Sequence, residues 1–140
     1  MAEVKRIVER PVSPHLGIYR LRINMAMSIV HRITGGALYL GTVLLAAWLT
    51  AAAMGPSEFA FVNGLFAHPL GLLVLLGYTW ALIHHMLGGV RHLIWDTGQG
   101  FDLKSADGLC WLNLIASVVT TGVVWAAALS MRGLALKDLF

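Results

Sequence analysis

"ITGGALYLGTVLLAAWLTAAAM", residues 33–54, contains no Lys, Arg, Asp or Glu. Residues 70–90 and 109–131 form two further stretches without these charges. Each stretch has about the 20 apolar residues that an α-helix needs to cross the hydrocarbon core of a bilayer. Of the 140 residues, 58% are hydrophobic and 12% are charged, whereas about a quarter of an average soluble domain is charged. The sequence therefore predicts an all-α membrane protein with three transmembrane helices.

We expect one membrane domain over residues 1–140 that begins with a polar arm, residues 1–27. Pro11 and Pro14 argue against a continuous helix in this arm, because proline lacks the backbone N–H and keeps the preceding residue extended. The transmembrane helices are predicted at about residues 28–54, 69–95 and 108–131.

The two connections between the spans are predicted to be a short one on the outer side and a polar one on the inner side. "GPSEFAFVNG", residues 55–64, reads as a short connection because glycine and proline interrupt helices. In the second connection Ser105 is the predicted N-cap of the third helix, and Trp95 is the expected interfacial anchor of the second.

Basic residues are distributed unevenly along the chain. Those before or at the start of the first span are Lys5, Arg6, Arg10, Arg20, Arg22 and Arg32. The connection after the second span adds Arg91 and Lys104, whereas the connection after the first span has no basic residue. Because basic loops stay on the cytoplasmic or matrix side, we expect the N-terminus inside and the C-terminus outside. The basic arm is thus a topology signal, and we expect no nucleic-acid partner.

Polar residues stand at the inner ends of the first two predicted spans. Ser28, His31 and Arg32 are spaced i, i+3 and i+4, which predicts one helical face. His85 and His92 lie seven positions apart on the second span and also share a face. Since the two spans run in opposite directions, both clusters are expected at the same depth, as one site.

Glycines accompany both clusters: Gly35, Gly36, Gly88 and Gly89. They would let a flat, bulky ligand reach His85, which lies roughly 15 Å of helix from the Trp95 boundary. Close helix–helix packing is the alternative explanation for either glycine pair. For Arg32, the alternative is a side chain that only reaches the membrane surface.

Haem and a quinone are the two ligands that suit these side chains. A neutral imidazole is a good axial ligand for haem iron, and surface-proximal His and Arg side chains can pair with haem propionates. The Ser28 hydroxyl beside Arg32 suits a quinone carbonyl, because both donors stabilise the negative charge that develops on reduction. His84 lies about 100° around the helix from His85 and is predicted to be structural.

The third span carries one cysteine and a stripe of polar residues. Cys110 is expected to be a small packing residue. Hydrogen bonding between helices explains the polar stripe adequately, and a polar pathway is the alternative. The stripe comprises Asn113, Ser117, Thr120 and Thr121.

Three segments together resemble a known family. They are "RPVSPHLGIYR" (residues 10–20), "SIVHRITG" (28–35) and "HMLGGVRHLIWDTG" (85–98). They resemble the cytochrome b subunits of succinate dehydrogenase, respiratory complex II, and the resemblance covers nearly the whole chain. It includes Ser-x-x-His-Arg-x-Thr and His-x-x-x-Gly-x-Arg-His, followed four residues later by Asp.

This resemblance implies a role for each matching residue. His85 would be the axial ligand to haem b, and Ser28 and Arg32 would line the ubiquinone site. His31, Arg91 and His92 would lie near the haem propionates. A second small membrane subunit would supply the other axial ligand, so that the two subunits share the haem.

The resemblance also implies that electrons from succinate arrive through a flavoprotein subunit and an iron–sulfur subunit. This chain has no dinucleotide-binding fingerprint and no cysteine cluster, so we expect no succinate-oxidising site on it. Its expected location is a bacterial cytoplasmic membrane or, for a mature mitochondrial chain, the inner mitochondrial membrane.

Three other functions remain open at this stage. The chain could be a haem-free structural anchor of the same kind of complex, a proton- or ion-conducting subunit that uses its histidines, or a self-contained di-haem cytochrome. The largely apolar middle of the first span and first half of the second argue against conduction. A di-haem protein would need four well-placed ligands.

Overall fold

The computed structural model describes residues 17–131. Four helices make up this range: α1 (Ile23–Met54), α2 (Pro56–Ala67), α3 (Pro69–Asp96) and α4 (Leu103–Met131). Of these, α1, α3 and α4 are long and apolar enough to cross a membrane, and no strand occurs between residues 17 and 131. The predicted all-α fold with three spans is therefore confirmed. The prediction for Pro11 and Pro14 lies outside the described residues.

The first long helix starts earlier than the predicted span. It begins at Ile23, because the backbone N–H groups of Met25 and Ala26 donate to the Arg22 carbonyl at 3.0 and 3.1 Å. Residues 23–27 therefore belong to the helix and not to the arm. The predicted start rests on the apolar composition, which indicates the membrane-embedded part of a helix, whereas the helix itself starts where its backbone hydrogen bonds start.

The connection after α1 is itself helical, a feature that the prediction of a short connection did not include. Gly55 separates α1 from α2 with φ of 146°, a value that favours glycine, and Pro56 occupies the first turn of α2, where its missing N–H is harmless. α2 packs against α1 and α3, and the Phe59 ring meets Trp48 edge-on at 5.6 Å. His68 then caps α3 by accepting the Leu70 N–H through Nδ1 at 3.3 Å.

The cap of α4 is Asp102 and not Ser105. The Asp102 carboxylate accepts the backbone N–H of Ser105 at 2.9 Å, and this bond holds the pKa of Asp102 below its usual value. An aspartate can satisfy one of the free N–H groups of a first helical turn, so α4 begins at Leu103, before the predicted start. Gly108 consequently lies within the helix.

The bundle is apolar outside and small or polar inside. Leu40 and Val123 are 68% and 63% exposed, whereas the buried polar side chains are Thr34, His84, Arg91, Asn113, Ser117 and Thr121. A protein folded in water would show the reverse distribution. In lipid, apolar side chains face the acyl chains, and helices associate through small and polar residues. The fold therefore places its chemistry between the helices.

α3 is the helix against which the other two spans pack. It contacts both α1 and α4, and α1 also contacts α4. At the α1–α3 crossing, Gly41 lies against the Tyr78 ring so closely that a Cβ there would overlap the ring. At the end of the bundle where α1 and α4 begin, Asn24 of α1 donates to Asp107 of α4. We call this end of the bundle the Asp107 end.

Candidate functional site

Two histidines from different helices form the centre of the candidate site. The imidazole rings of His31 on α1 and His85 on α3 are stacked, with centroids 4.0 Å apart and an angle of 4° between their planes. The His92 ring lies 5.4 Å from His31 at an angle of 54°. The structure thus brings together the histidines that the sequence spacing places at one depth.

The protonation pattern of His85 follows from its hydrogen bonds. Its Nδ1 lies 3.1 Å from the backbone carbonyl oxygen of His31 and 3.4 Å from the hydroxyl of Thr34. A carbonyl oxygen can only accept, so Nδ1 carries the proton and donates it. In a neutral imidazole the other nitrogen, Nε2, then keeps its lone pair and is available as a metal ligand.

One glycine of each predicted pair makes room for these rings. A Cβ on Gly35 would stand 3.0 Å from His85 Cε1, and a Cβ on Gly88 would overlap the His31 ring. Gly36 and Gly89 face open space. Gly35 and Gly88 therefore allow close packing of side chains from the facing helix, which is the alternative explanation given above. That the glycines admit a bulky ligand to His85 stays a prediction.

Ser28 and Arg32 face away from the bundle. Both side chains are exposed, and within residues 17–131 neither makes a side-chain hydrogen bond or an ion pair. His31 is turned toward α3 instead, because neighbouring positions on a helix lie about 100° apart. The expectation that all three share one face is therefore wrong: Ser28 and Arg32 form an outward-facing donor pair beside His31.

Arg91 lies on the α4 side of α3. Its side chain is only 4% exposed, Nη1 donates to Cys110 Sγ at 3.0 Å, and the guanidinium lies 5.0 Å from the Trp95 ring centroid. His92 is exposed and meets Trp95 edge-on at 5.2 Å. Of the three residues expected near the propionates, His31 and His92 lie together, whereas Arg91 points away from them toward α4.

A hydrogen-bonded chain at the Asp107 end was not predicted from the sequence. The Cys110 thiol donates to Asn24 Oδ1 at 2.8 Å, and the Asn24 amide donates to Asp107. Arg22 lies 4.0 Å from the Asp107 carboxylate. Cys110, expected only to fill space, therefore links α3 to α1. This contact could have been predicted from two polar residues, Asn24 and Asp107. Each lies near the end of a span, and the predicted topology places these two ends at the same depth in the membrane.

His84 points in a different direction from His85. It is fully buried, its Nδ1 lies 3.3 Å from the Ser117 hydroxyl on α4, and its ring packs at 5.0 Å against Trp80. This placement agrees with the structural role predicted for it. The predicted helix–helix hydrogen bonding of the polar stripe is confirmed for Ser117 but is wrong for Thr120, which is exposed.

The remaining stripe residues are both buried but differ in their hydrogen bonds. Thr121 donates to the Ser117 carbonyl of its own helix at 2.7 Å. Both polar atoms of the Asn113 amide are buried without a partner in the described range. In that range no three His, Cys, Asp or Glu side chains converge as a metal site.

Comparison with known sequences identifies the family. The sequence pattern of the succinate dehydrogenase/fumarate reductase transmembrane subunits matches residues 6–124. The chain belongs to this family. The resemblance seen in its motifs is therefore confirmed, and the chain is a multi-pass membrane subunit of the succinate dehydrogenase type.

Relatives of this succinate dehydrogenase family occur in bacteria and mitochondria. The succinate dehydrogenase cytochrome b556 subunit of Paracoccus denitrificans is 43% identical over 119 residues, which cover 85% of this chain and 91% of the relative. The subunit of the same name from Rickettsia felis is 37% identical over 117 residues, or 84% and 91% of the two chains. The mitochondrial cytochrome b560 subunit of Sus scrofa is 40% identical over 117 residues, or 80% and 68%.

Proposed function

We propose that this chain is the haem b-binding membrane subunit of a succinate:ubiquinone oxidoreductase and that His85 is its axial ligand. The observation that carries the proposal is the hydrogen bond from His85 Nδ1 to the His31 carbonyl, which leaves Nε2 free for iron. The relatives are named cytochromes b556 and b560, which supports a haem in this chain as well. Bound haem b would supply a one-electron carrier inside the membrane.

The surroundings of His85 fit such a ligand. Metal-bound histidines usually donate their second ring N–H to a carboxylate, a backbone carbonyl or water, which fixes the ring orientation. Here the His31 carbonyl is the acceptor, and the stacked His31 ring restricts rotation of the His85 ring. Gly35 leaves the space beside His85 Cε1 that any side chain would occupy.

His31 cannot be the second axial ligand of the same iron. Its ring is in face-to-face contact with His85 at 4.0 Å, so a porphyrin cannot lie between the two rings. We propose that a second small membrane subunit supplies the other ligand, so that the two subunits would share the haem. His31 and His92 would lie near the propionates, and Arg91 would contribute its positive charge from behind α3.

Ser28 and Arg32 are proposed to line the ubiquinone site. Both are exposed donors on the outer face of α1, where a ligand or a partner subunit has access to them. The Arg32 guanidinium stays protonated in proteins, so it can stabilise the negative charge that forms on a quinone oxygen during reduction. The serine hydroxyl can donate to the same oxygen and fix the orientation of the quinone ring.

The proposed assembly rests on two features of the sequence. It has no dinucleotide-binding fingerprint or cysteine cluster, so other subunits would oxidise succinate, and its basic residues near the N-terminus indicate its orientation in the membrane. A flavoprotein subunit would oxidise succinate, and an iron–sulfur subunit would bring the electrons to the quinone site. We place the N-terminus of α1 and the Asp107 end on the inner side of a bacterial cytoplasmic membrane or an inner mitochondrial membrane. The chain would thus anchor the soluble subunits and hold half of the haem.

The optical spectrum of the purified complex tests this proposal. The complex should be isolated with its natural partners in mild detergent, and a dithionite-reduced minus oxidised spectrum recorded. We expect a low-spin b-type signal together with succinate-dependent ubiquinone reduction. An intact complex that reduces ubiquinone without this signal would instead identify a haem-free anchor, and a complex that does not reduce ubiquinone would contradict the proposed function altogether.

A further inference from the structure

Two buried polar atoms between α3 and α4 lie outside the haem and quinone contacts proposed above. Within the described residues, Trp80 Nε1 and His84 Nε2 are both buried without a hydrogen-bond partner. The two side chains are neighbours, with ring centroids 5.0 Å apart and an angle of 36° between their planes. Buried polar atoms are nearly always hydrogen-bonded in folded proteins, so a neighbouring pair without partners calls for an explanation.

α4 determines which nitrogen of His84 carries the proton. The Ser117 hydroxyl donates its single hydrogen to the Leu114 carbonyl at 2.8 Å. Toward His84 Nδ1, which lies 3.3 Å away, the Ser117 oxygen can therefore only accept. Nδ1 of His84 thus carries a proton and donates it to Ser117.

The other nitrogen of His84 is consequently an acceptor. His84 is fully buried, and among residues 17–131 no carboxylate pairs with it. A buried cation without a counter-ion is costly, so the ring is neutral. In a neutral imidazole with a proton on Nδ1, Nε2 keeps its lone pair and needs a donor.

The Trp80 indole offers the complementary group. The Nε1–H of a tryptophan can only donate, whereas His84 Nε2 in this tautomer can only accept. The two nitrogens are not hydrogen-bonded to each other. A molecule that accepts from the indole and donates to the imidazole would satisfy both, and water is the smallest molecule that does so.

The surroundings of these atoms favour water over a larger partner. His84 and Ser117 are 0% exposed and Thr121 is 5% exposed, so this part of the α3–α4 contact is closed to lipid and to side chains of other subunits. Trp80 lies one turn before His84 on α3, and Thr121 lies one turn after Ser117 on α4. Because the two helices run in opposite directions, Thr121 is at the level of Trp80. Its hydroxyl donates to the Ser117 carbonyl, and its oxygen still has lone pairs for a further hydrogen bond.

We propose that one internal water bridges Trp80 Nε1 and His84 Nε2 between α3 and α4. The water accepts the indole N–H and donates one hydrogen to the imidazole, and its second hydrogen is directed toward Thr121 Oγ1. Buried waters typically make about three hydrogen bonds to polar groups that otherwise lack partners, and this arrangement supplies three. No proton is transferred, and His84 stays neutral throughout.

This water site distinguishes two neighbouring histidines that have the same tautomer. His85 donates from Nδ1 to the His31 carbonyl, as His84 donates from Nδ1 to Ser117. Each ring therefore has a lone pair on Nε2, but the water occupies that of His84. Trp80 is thus a positioning residue, which acts on His84 through the water and leaves His85 as the histidine with a free lone pair. This consequence rests on the proposed function, because it concerns the choice of the haem ligand.

A cryo-electron microscopy map of the unmodified complex in lipid nanodiscs tests the site directly. The map should be detailed enough to show ordered waters elsewhere in the complex. We expect density for one water at about 3 Å from both Trp80 Nε1 and His84 Nε2. A direct hydrogen bond between the two side chains would overturn the proposal, as would the absence of water density there while other waters are visible.

A pair of variants tests the part played by Trp80. Trp80→Phe keeps an aromatic ring but removes the donor, and Trp111→Phe is the matched control, because Trp111 is 53% exposed on α4. We expect Trp80→Phe to lose the water density and to lower the unfolding midpoint of the complex, since a buried acceptor loses its partner. Trp111→Phe should change neither. Water density that persists in Trp80→Phe, or equal midpoints for the two variants, would overturn the proposal.

The same samples separate failure of this inference from failure of the proposed function. The b-type signal and succinate-dependent ubiquinone reduction should be retained in both variants, because neither tryptophan contacts His85 or the exposed donors of α1. An unmodified complex with both properties but without the bridging water would overturn only the water site. An unmodified complex with the water but without haem or ubiquinone reduction would contradict the proposed function and leave the water site standing.

Discussion

His31 and His85, 54 positions apart in the sequence, hold each other in place through two different contacts. The backbone carbonyl of His31 accepts the proton of His85 Nδ1 at 3.1 Å, and the His31 ring stacks on the His85 ring at 4.0 Å. One residue of α1 thus fixes both the tautomer and the plane of the histidine on α3. A shift of α1 relative to α3 would change the proposed iron ligand directly.

Replacing His85 should remove the haem, whereas replacing its neighbour should not. In the purified complex, His85→Ala is expected to abolish the low-spin b-type signal, because no other described imidazole can take its place beside Gly35. His84→Ala is the matched control, since His84 faces Ser117 on α4. The reduced-minus-oxidised spectrum measures both. Loss of the signal in His84→Ala with retention in His85→Ala would show that His84 is the haem ligand and would contradict the proposal for His85.

The neighbouring glycines Gly35 and Gly36 of α1 should differ in their tolerance of a side chain. A Cβ at Gly35 already stands 3.0 Å from His85 Cε1, so the extra methyl groups of Gly35→Val would push the imidazole aside. We expect reduced haem content in this variant and normal content in Gly36→Val, whose position faces open space. Haem per complex can be measured by the pyridine haemochrome method. Equal haem content in both variants would contradict the proposed position of the ligand.

Much of this fold could be predicted because a charge-free apolar run of membrane-spanning length forms few structures other than a transmembrane helix. The three long helices and the meeting of His31 with His85 both follow from periodicity and from the opposite directions of the first two spans. The helix α2 could not be predicted from the sequence pattern, because Gly55, Pro56 and Gly64 are residues typical of turns and loops. Its formation depends on packing against α1 and α3.

The orientation of individual polar side chains was harder to predict. Helical spacing groups Ser28, His31 and Arg32, but the angle of about 100° between neighbours lets the bundle bury His31 while the other two stay exposed. Arg91 stands beside His92 in the sequence, yet it turns to Cys110 because a buried guanidinium needs an acceptor. Which acceptor is within reach is decided by the packing of α4.

The hydrogen bonds at the Asp107 end should stabilise the contact between α1 and α4. Asp107→Ala removes the acceptor of the Asn24 amide and the ion partner of Arg22. We expect this variant to lower the stability of the complex by about 1 kcal/mol, the usual net contribution of one hydrogen bond. Asp96→Ala is the control, because Asp96 is exposed and makes no side-chain bond among the described residues. Thermal unfolding of the detergent-solubilised complex compares them, and equal midpoints would refute a stabilising role.

The crossing of α1 and α3 should not tolerate a side chain at Gly41. A Cβ at this position would overlap the Tyr78 ring, whereas Gly77, on the facing helix, has open space. We expect Gly41→Leu to destabilise the complex by about 1–3 kcal/mol, as overpacking of a close contact does. Gly77→Leu should have a much smaller effect. The yield of intact complex and its unfolding temperature report the difference; similar values for both variants would show that the crossing can adjust.

Arg32 should be required for ubiquinone reduction but not for oxidation of succinate. Arg32→Leu removes an exposed cation that has no ion partner among the described residues, so its loss should leave the fold intact. Removing one donor that stabilises a developing oxyanion costs on the order of 10²-fold in rate, and we expect a loss of that size in succinate-dependent ubiquinone reduction. Electron transfer to a soluble artificial acceptor should remain unchanged, and Arg32→Lys should recover part of the ubiquinone rate by retaining the charge. If both activities fall together, Arg32 contributes to assembly of the complex and not to its quinone site.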